Sequence, residues 1–350
     1  MTQKSEKVIN KIPQPFKDLY GKIYYDAEQI LDDCVMYHEE DFFELYRRRA
    51  ALRTEPTEAN AEALRAKCAE MKMLPNPPQR IYLWPEGKMP AHTDYTDNSD
   101  YRYNHDPDFR PYMFEMLLPQ DVTPKGAVIV IPGGDQGGAT VGEGYGTCKD
   151  LNELGYQCFI LHNRCFNNPW DGMECGADVA RAIRIVRKNA EKYRINPNNV
   201  TVMGCSNGGL TGDRNIRYYS GKQTVKDHFP TYEPDELDDI YGAPDAYICM
   251  YGTRYIWLEF DYSVVDYPPT FFAVGREDKG AMTNLTSHYA QLLERGIPVE
   301  VHTFAATPHG YSGQWRVNGV KYPNFELWSK LADAFMQDTY HKESGTNIWS

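Results

Sequence analysis

A serine between glycines follows an apolar run in the second half of this 350-residue chain. Ser206 is the central residue of the pattern Gly-Cys-Ser-Asn-Gly, residues 204–208, and the apolar segment 200–203 precedes it. Glycines on both sides favour a sharp turn from a strand into a helix, because such a turn leaves no room for Cβ atoms. A serine at such a turn is exposed at the sheet edge and can act as a nucleophile. The pattern alone is weak, since it also arises by chance.

An acidic partner is needed, because a serine hydroxyl attacks at neutral pH only with a histidine base and a carboxylate that orients the base. The apolar segment 270–274 leads into Glu277 and Asp278. Carboxyl ends of parallel strands are where such sheets hold their active sites. We predict Asp278 as the acid. Glu277 is the alternative, because the sequence does not show which of two adjacent side chains faces the histidine.

The histidine is expected after the acid in the chain. His309 follows the predicted strand 299–304 and is flanked by Pro308 and Gly310, in a loop at the same sheet edge. We predict His309 as the general base. His302 lies inside the strand and has the weaker claim.

A tetrahedral intermediate also needs backbone N–H groups where negative charge develops. The N–H of Asn207, directly after the serine, is one expected donor. The second is expected from the glycine-rich loop 132–138, which follows the apolar run 127–131. Gly134 and Asp135 are the two candidates for this second donor.

The elements that must position these residues alternate between strands and helices. The runs 127–131 and 158–161 are continuously apolar, as in strands buried on both faces of a parallel sheet. Residues 177–193 show one apolar helix face, and 283–295 form another predicted helix. Segments 81–85 and 112–118 are predicted as antiparallel first strands. The pattern predicts a mostly parallel, doubly wound α/β sheet with helices on both faces.

The N-terminal part differs in composition from the rest. Residues 1–75 are predicted as a helical extension, because segment 57–73 is rich in Ala, Glu, Leu and Lys, which are strong helix formers. Residues 76–350 are predicted as the catalytic domain. The extension is expected to form either a lid beside the active site or an interface of a homo-oligomer, and both alternatives stay open.

The formal net charge of −12 excludes several partners. Such a field repels phosphates, so we expect no nucleic acid and no membrane as partner. The sequence shows no membrane-spanning run and no signal peptide, which predicts a cytoplasmic protein. The eight cysteines lack the spacing of a disulfide framework and are expected to be reduced. We expect no metal site and no cofactor.

Eight stretches carry a resemblance to a known family: residues 82–87, 132–134, 182–184, 202–209, 235–237, 243–246, 298–302 and 308–310. Over residues 80–340 the chain resembles α/β-hydrolase-fold serine esterases, and most of all the branch of acetyl xylan esterases and related carboxylesterases. The resemblance implies these roles: nucleophile Ser206, base His309, acid Asp278, and an oxyanion hole formed by Asn207 with Gly134 or Asp135. Many relatives have a third glycine where Asp135 stands. A carboxylate there opposes an oxyanion, although its backbone N–H can still donate.

The expected reaction is hydrolysis of small acetyl or aromatic-acyl (cinnamoyl-type) esters of plant origin. Five aromatic residues near the predicted site are either walls of an acyl pocket or ordinary packing residues: Tyr145, Phe166, Trp170, Tyr311 and Trp315. One alternative is a serine peptidase of the prolyl-oligopeptidase type, although 350 residues leave no room for its propeller. Another is a hydrolase-fold binding protein with an inert pocket.

Overall fold

A computed structural model describes residues 13–34, 39–74, 79–91, 109–134, 140–164, 172–253, 265–313, 315–316, 319–324 and 326–341. The described residues fall into two compact units, one ending at residue 74 and the other beginning at residue 79. The domain boundary predicted between residues 75 and 76 lies outside the described residues and stays a prediction.

Three helices form the first unit: α1 (Gln14–Cys34), α2 (Glu39–Thr54) and α3 (Glu58–Met71). The predicted helical extension is therefore present. The ammonium group of Lys67 is buried in this unit and lies 2.6 Å from Asp41, 3.1 Å from Glu44 and 2.9 Å from Glu70. These contacts compensate for the loss of water around a buried charge. The role of this unit as a lid or an interface stays a prediction.

An eight-stranded sheet organises the second unit. Its strands are β1 (Ile81–Tyr82), β2 (Tyr112–Met116), β3 (Gly126–Ile131), β4 (Tyr156–His162), β5 (Val200–Cys205), β6 (Ala246–Met250), β7 (Thr270–Gly275) and β8 (Val299–Phe304). They lie in the order β1-β2-β4-β3-β5-β6-β7-β8. The pairs β1–β2 and β2–β4 are antiparallel, and the other neighbours are parallel. The predicted α/β-hydrolase fold class is confirmed.

Helices connect the parallel strands: a π-helix (Thr140–Gly146), α4 (Thr147–Glu153), α5 (Gly172–Lys188), α6 (Ala190–Tyr193), α7 (Asn207–Tyr219), α8 (Val225–His228) and α9 (Lys279–Glu294). A further helix, α10 (Leu327–His341), follows the last strand. From β3 the chain moves to β4 on one side and then returns to β5 on the other. Because such crossovers are right-handed, α4 and α5 lie on opposite faces of the sheet.

The central strands are buried along their whole length. Every residue of β3, β4, β5, β6 and β7 is buried. This explains why these segments are continuously apolar rather than alternating, since helices cover both faces. A rigid sheet of this kind fixes the positions of the loops at its carboxyl edge.

Two helices differ from their predicted bounds. The predicted helix 177–193 begins at Gly172 and is broken at Asn189, so that its last part is the separate helix α6. The predicted helix 283–295 begins earlier, at Lys279, because the side chain of Asp278 accepts a hydrogen bond from the Ala281 N–H and caps the first turn.

Two further observations concern predicted absences. Over the ranges given above, no helix is long and apolar enough to cross a membrane. Six cysteines are buried free thiols: Cys68, Cys148, Cys158, Cys175, Cys205 and Cys249.

Candidate active site

Ser206 lies at the turn between β5 and α7. Its φ of 53° is in the left-handed region, which is unusual for a residue with a side chain. Its N–H donates to the Met250 carbonyl of the neighbouring strand at 2.9 Å, which holds the turn in place. A Cβ atom at Gly204 or Gly208 would collide with backbone atoms, so the flanking glycines are required by close packing.

The structure brings Ser206, His309 and Asp278 together at the carboxyl ends of β5, β8 and β7. The distance from Ser206 Oγ to His309 Nε2 is 2.7 Å. On the other side of the ring, His309 Nδ1 is hydrogen-bonded to Asp278 Oδ2. With the proton on Nδ1, the imidazole donates to the carboxylate and its Nε2 accepts from the serine hydroxyl. This is the arrangement that activates a serine.

The two acidic candidates have different environments. Asp278 has a side chain that is 10% exposed, and one oxygen contacts His309 while the other caps α9. The side chain of Glu277 is exposed, and its N–H donates to the Thr307 carbonyl at 3.1 Å. The geometry therefore places Asp278, and not Glu277, against the histidine. His302 lies away from this group, with Nε2 2.5 Å from Glu300 Oε1.

The histidine and the aspartate shift each other's pKa. Burial alone would lower the pKa of His309, but the hydrogen bond and charge of Asp278, together with the charge of Glu143, outweigh burial and raise it. Burial would raise the pKa of Asp278, but the hydrogen bonds from His309 and from the Ala281 N–H lower it. Asp278 is therefore ionised at neutral pH, and His309 holds a proton more strongly than an isolated histidine does.

We expect kcat/KM for ester hydrolysis to fall as pH falls through the pKa of His309, because only the neutral imidazole accepts the Ser206 proton. Since that pKa is raised, the midpoint of the acid limb lies above ~6.5, the value of an isolated histidine. A kcat/KM profile across the neutral range measures it. His302→Gln is the matched control and should leave the acid limb of the kcat/KM profile unchanged. A wild-type midpoint below the pKa of an isolated histidine contradicts the prediction.

The glycine loop after β3 is attached to the start of α7. The Asn207 side-chain amide donates to the Gly134 carbonyl at 2.7 Å, and Gly134 has a φ of 81° that favours glycine. A Cβ atom at Gly133 would lie 2.6 Å from the Ser206 Cβ, so this loop passes directly beside the serine. Asp135 lies outside the described residues. The assignment of Asn207 with Gly134 or Asp135 as oxyanion donors stays a prediction.

The predicted aromatic residues fall in different environments. Tyr145 is 6% exposed and Tyr311 is 1% exposed. The ring of Tyr311 packs against Tyr251, at 5.1 Å between centroids. Trp315 is partly exposed, with Arg316 4.4 Å from its ring. Phe166 and Trp170 lie outside the described residues. For all five aromatic residues, the role as walls of an acyl pocket stays a prediction.

Two residues of this region were missed by sequence reasoning. Glu143 lies in the π-helix and is buried, with one oxygen 2.6 Å from the Gly133 N–H and the other 3.0 Å from the Tyr251 hydroxyl. Tyr251 follows β6 and packs its ring against His309, at 4.9 Å between centroids. The one local signal was a lone acidic residue between glycines, shortly after the loop at 132–134.

A family model described as BD-FAE matches residues 115–213 of this chain, which include Ser206 but neither Asp278 nor His309. An acetylxylan esterase from Xylanibacter ruminicola is 37% identical over 237 residues, which are 63% of this chain and 46% of that protein. Endo-1,4-beta-xylanase B from Butyrivibrio fibrisolvens is 30% identical over 157 residues, 44% of this chain and 23% of that protein. The chain thus spans about a quarter to a half of the length of these relatives.

Solved structures show the same fold. An acetyl ester-xyloside bifunctional hydrolase from Caldicellulosiruptor lactoaceticus superposes with a TM-score of 0.55 at 22% identity, covering 78% of this chain and 98% of that one. An alpha/beta hydrolase enzyme from a Medee basin deep-sea metagenome library has a TM-score of 0.50 at 19% identity, covering 66% and 92%.

The fold defines the class: the chain is an α/β-hydrolase-fold protein, with a serine, a histidine and an aspartate hydrogen-bonded in series at the carboxyl edge of its sheet. Within that class, the predicted resemblance to the branch of acetyl xylan esterases and related carboxylesterases is confirmed by the relatives found.

Proposed function

We propose that this chain is a serine carboxylic-ester hydrolase that works through an acyl-enzyme. The observation that carries the proposal is the continuous hydrogen-bond chain from Ser206 Oγ through His309 to Asp278. A serine at a strained strand-to-helix turn, next to a glycine loop that can supply N–H groups, has the parts that acyl transfer needs. The similarity to an acetylxylan esterase supports an ester as the substrate.

The three residues divide the proton transfers of the proposed reaction among them. His309 Nε2 removes the Ser206 proton as Oγ attacks the ester carbonyl, and the resulting oxyanion is held by backbone N–H groups. His309 then gives the proton to the leaving alcohol, and the acyl group stays on Ser206. Water, deprotonated by His309, attacks the acyl-enzyme; as the bond between the acyl carbon and Ser206 Oγ breaks, His309 returns the proton to Oγ and the acid is released. Asp278 keeps the ring in the required tautomer and stabilises the imidazolium.

Among the expected esters of plant origin, we favour acetyl over cinnamoyl-type substrates. One relative is named an acetylxylan esterase. Two of the five aromatic residues considered for a cinnamoyl pocket, Tyr145 and Tyr311, are buried rather than exposed beside Ser206. A small acyl group does not need such an aromatic wall.

A fluorophosphonate probe and an ester panel test this function together. We expect the probe to label Ser206, identified by peptide mass spectrometry, because phosphonylation requires the same activated hydroxyl. With the p-nitrophenyl esters of acetate, butyrate and ferulate, which share one leaving group, we expect the highest kcat/KM for acetate. Absence of labelling and of turnover would indicate an inert binding protein, and cleavage of a prolyl peptide instead of esters would indicate a peptidase.

A further inference from the structure

A second carboxylate lies behind the candidate triad. Glu143 is 5% exposed and makes no contact with the serine hydroxyl among its described hydrogen bonds. Its Oε2 accepts from the Gly133 N–H at 2.6 Å, and its Oε1 accepts from the Tyr251 hydroxyl at 3.0 Å. A buried carboxylate is costly unless it is hydrogen-bonded. Both of its oxygens are used here, and they reach toward two different parts of the site.

The first contact fixes the glycine loop. Gly133 is wedged between Glu143 and the serine, because a Cβ atom there would lie 2.7 Å from Glu143 Oε2 and 2.6 Å from the Ser206 Cβ. The hydrogen bond turns the Gly133 N–H toward Glu143. Since peptide units are planar, the same contact also fixes the direction of the Pro132 carbonyl, and with it the path of the backbone beside Ser206.

The second contact fixes the neighbour of the histidine. Tyr251 has a φ of 40°, which is a strained conformation for a bulky residue, and such strain persists only when the surroundings enforce it. Its hydroxyl lies 2.7 Å from Ser312 Oγ as well as near Glu143, and its ring packs edge-on against His309. Glu143 therefore helps to hold the ring that supports one face of the imidazole.

The charge of Glu143 acts in the same direction. Burial raises the pKa of Glu143 above its usual value, and the hydrogen bonds from Gly133 and Tyr251 and the charge on His309 offset only part of that rise. Two other titratable groups close to it, the Cys205 thiol and the Tyr251 hydroxyl, have pKa values that burial raises, so both stay uncharged. In its ionised form Glu143 favours the imidazolium that forms when His309 takes up the serine proton.

We propose that Glu143 is a positioning residue that aligns both halves of the reaction centre, the glycine loop through Gly133 and the imidazole through Tyr251. The inference rests on the proposed ester hydrolysis at Ser206. Glu143 thereby fixes the positions of the backbone N–H donors and of the His309 imidazole before the substrate binds.

The test compares Glu143→Ala with Glu143→Gln. Alanine removes both acceptors, and we expect kcat for p-nitrophenyl acetate to fall about 100-fold with KM changed by less than about threefold, because misplaced donors weaken transition-state binding and not substrate binding. Glutamine keeps an acceptor for Gly133 and offers an amide to the Tyr251 oxygen. We expect it to retain kcat within about fivefold of the wild type, since it restores the hydrogen bonds without the charge.

A boronic acid that forms a tetrahedral adduct with serine supplies a second readout. Its affinity should weaken in Glu143→Ala in parallel with kcat/KM, because transition-state analogues report oxyanion contacts. Asp245→Asn is the matched control: Asp245 is also a carboxylate that accepts a backbone N–H, from Val200 at 2.8 Å, but at the opposite end of β5. We expect it to leave kcat unchanged.

Three results would overturn the proposal: unchanged kcat in Glu143→Ala, an equal loss in alanine and glutamine variants, or an unchanged boronate affinity. If the alanine variant does not fold, Tyr251→Phe decides, because it removes one hydrogen bond to Glu143 and keeps the ring; we expect about a tenfold loss of kcat at constant KM, and no loss overturns the proposal. A wild-type chain without esterase activity refutes the proposed function itself, which these variants do not test.

Discussion

We expect Ser206→Ala to lower kcat for p-nitrophenyl acetate by about 10⁶-fold, since removal of the nucleophile in a triad leaves only the contributions of binding and oxyanion contacts. The substitution should affect the catalytic step and not the stability of the fold, because Ser206 Oγ contacts His309 and makes no N-cap hydrogen bond to α7. Alanine therefore removes the attacking atom without removing a helix cap. Steady-state kinetics measures the loss of turnover, and thermal unfolding followed by circular dichroism shows whether the variant keeps its stability.

A matched serine is available at the other end of the same helix. Ser220 lies directly after α7, and its hydroxyl accepts from the Asp266 N–H at 3.0 Å. Ser220→Ala should retain full kcat, whatever its effect on the unfolding temperature. If Ser206→Ala keeps substantial turnover while remaining folded, then hydrolysis does not proceed through this serine and the nucleophile assignment is wrong.

The second large effect is expected for Asp278→Asn, which should lower kcat by about 10³- to 10⁴-fold by allowing the wrong imidazole tautomer. An asparagine amide cannot accept from the Nδ1–H with a charged oxygen, so it also stops stabilising the imidazolium. The raised pKa of His309 depends on Asp278, and the acid limb of kcat/KM should therefore move to lower pH in this variant. Kinetics over a pH series measures both changes.

The same substitution is expected to leave the fold nearly intact. Asp278 caps α9 by accepting from the Ala281 N–H, and asparagine is as good a helix cap as aspartate. Glu277→Gln is the matched control, since Glu277 is adjacent and exposed. It should retain wild-type turnover. If only Glu277→Gln impairs turnover, the choice of Asp278 as the acid is wrong.

Much of the fold could be predicted because a strand that is buried on both faces of a sheet is a continuous apolar run in the sequence. The strands β3, β5 and β7 are continuous apolar runs, and the glycines around Ser206 reveal the turn that follows β5. The order of serine, acid and histidine along the chain followed from where parallel strands end. The start of α9 was missed, because capping by Asp278 depends on the geometry of a single side chain.

Other parts of the site could not be predicted because they depend on contacts between distant residues. The sequence could not distinguish Asp278 from Glu277, since the direction of adjacent side chains is set by the turn they occupy. Glu143 gains its importance from Gly133, ten residues before it, and from Tyr251, more than a hundred residues after it. Nor does an aromatic residue reveal whether it lines a pocket or lies buried, as Tyr311 does.

The glycine loop beside Ser206 is anchored at two successive residues, by Glu143 at the Gly133 N–H and by the Asn207 side chain at the Gly134 carbonyl. Residues held in this way lose their conformational freedom once, when the chain folds, and not again in each turnover. In the proposed reaction, their peptide dipoles are already oriented when charge develops on the substrate, so little reorganisation contributes to the barrier. The ordering of these residues, completed when the chain folds, thus does not add to the activation barrier of the proposed reaction.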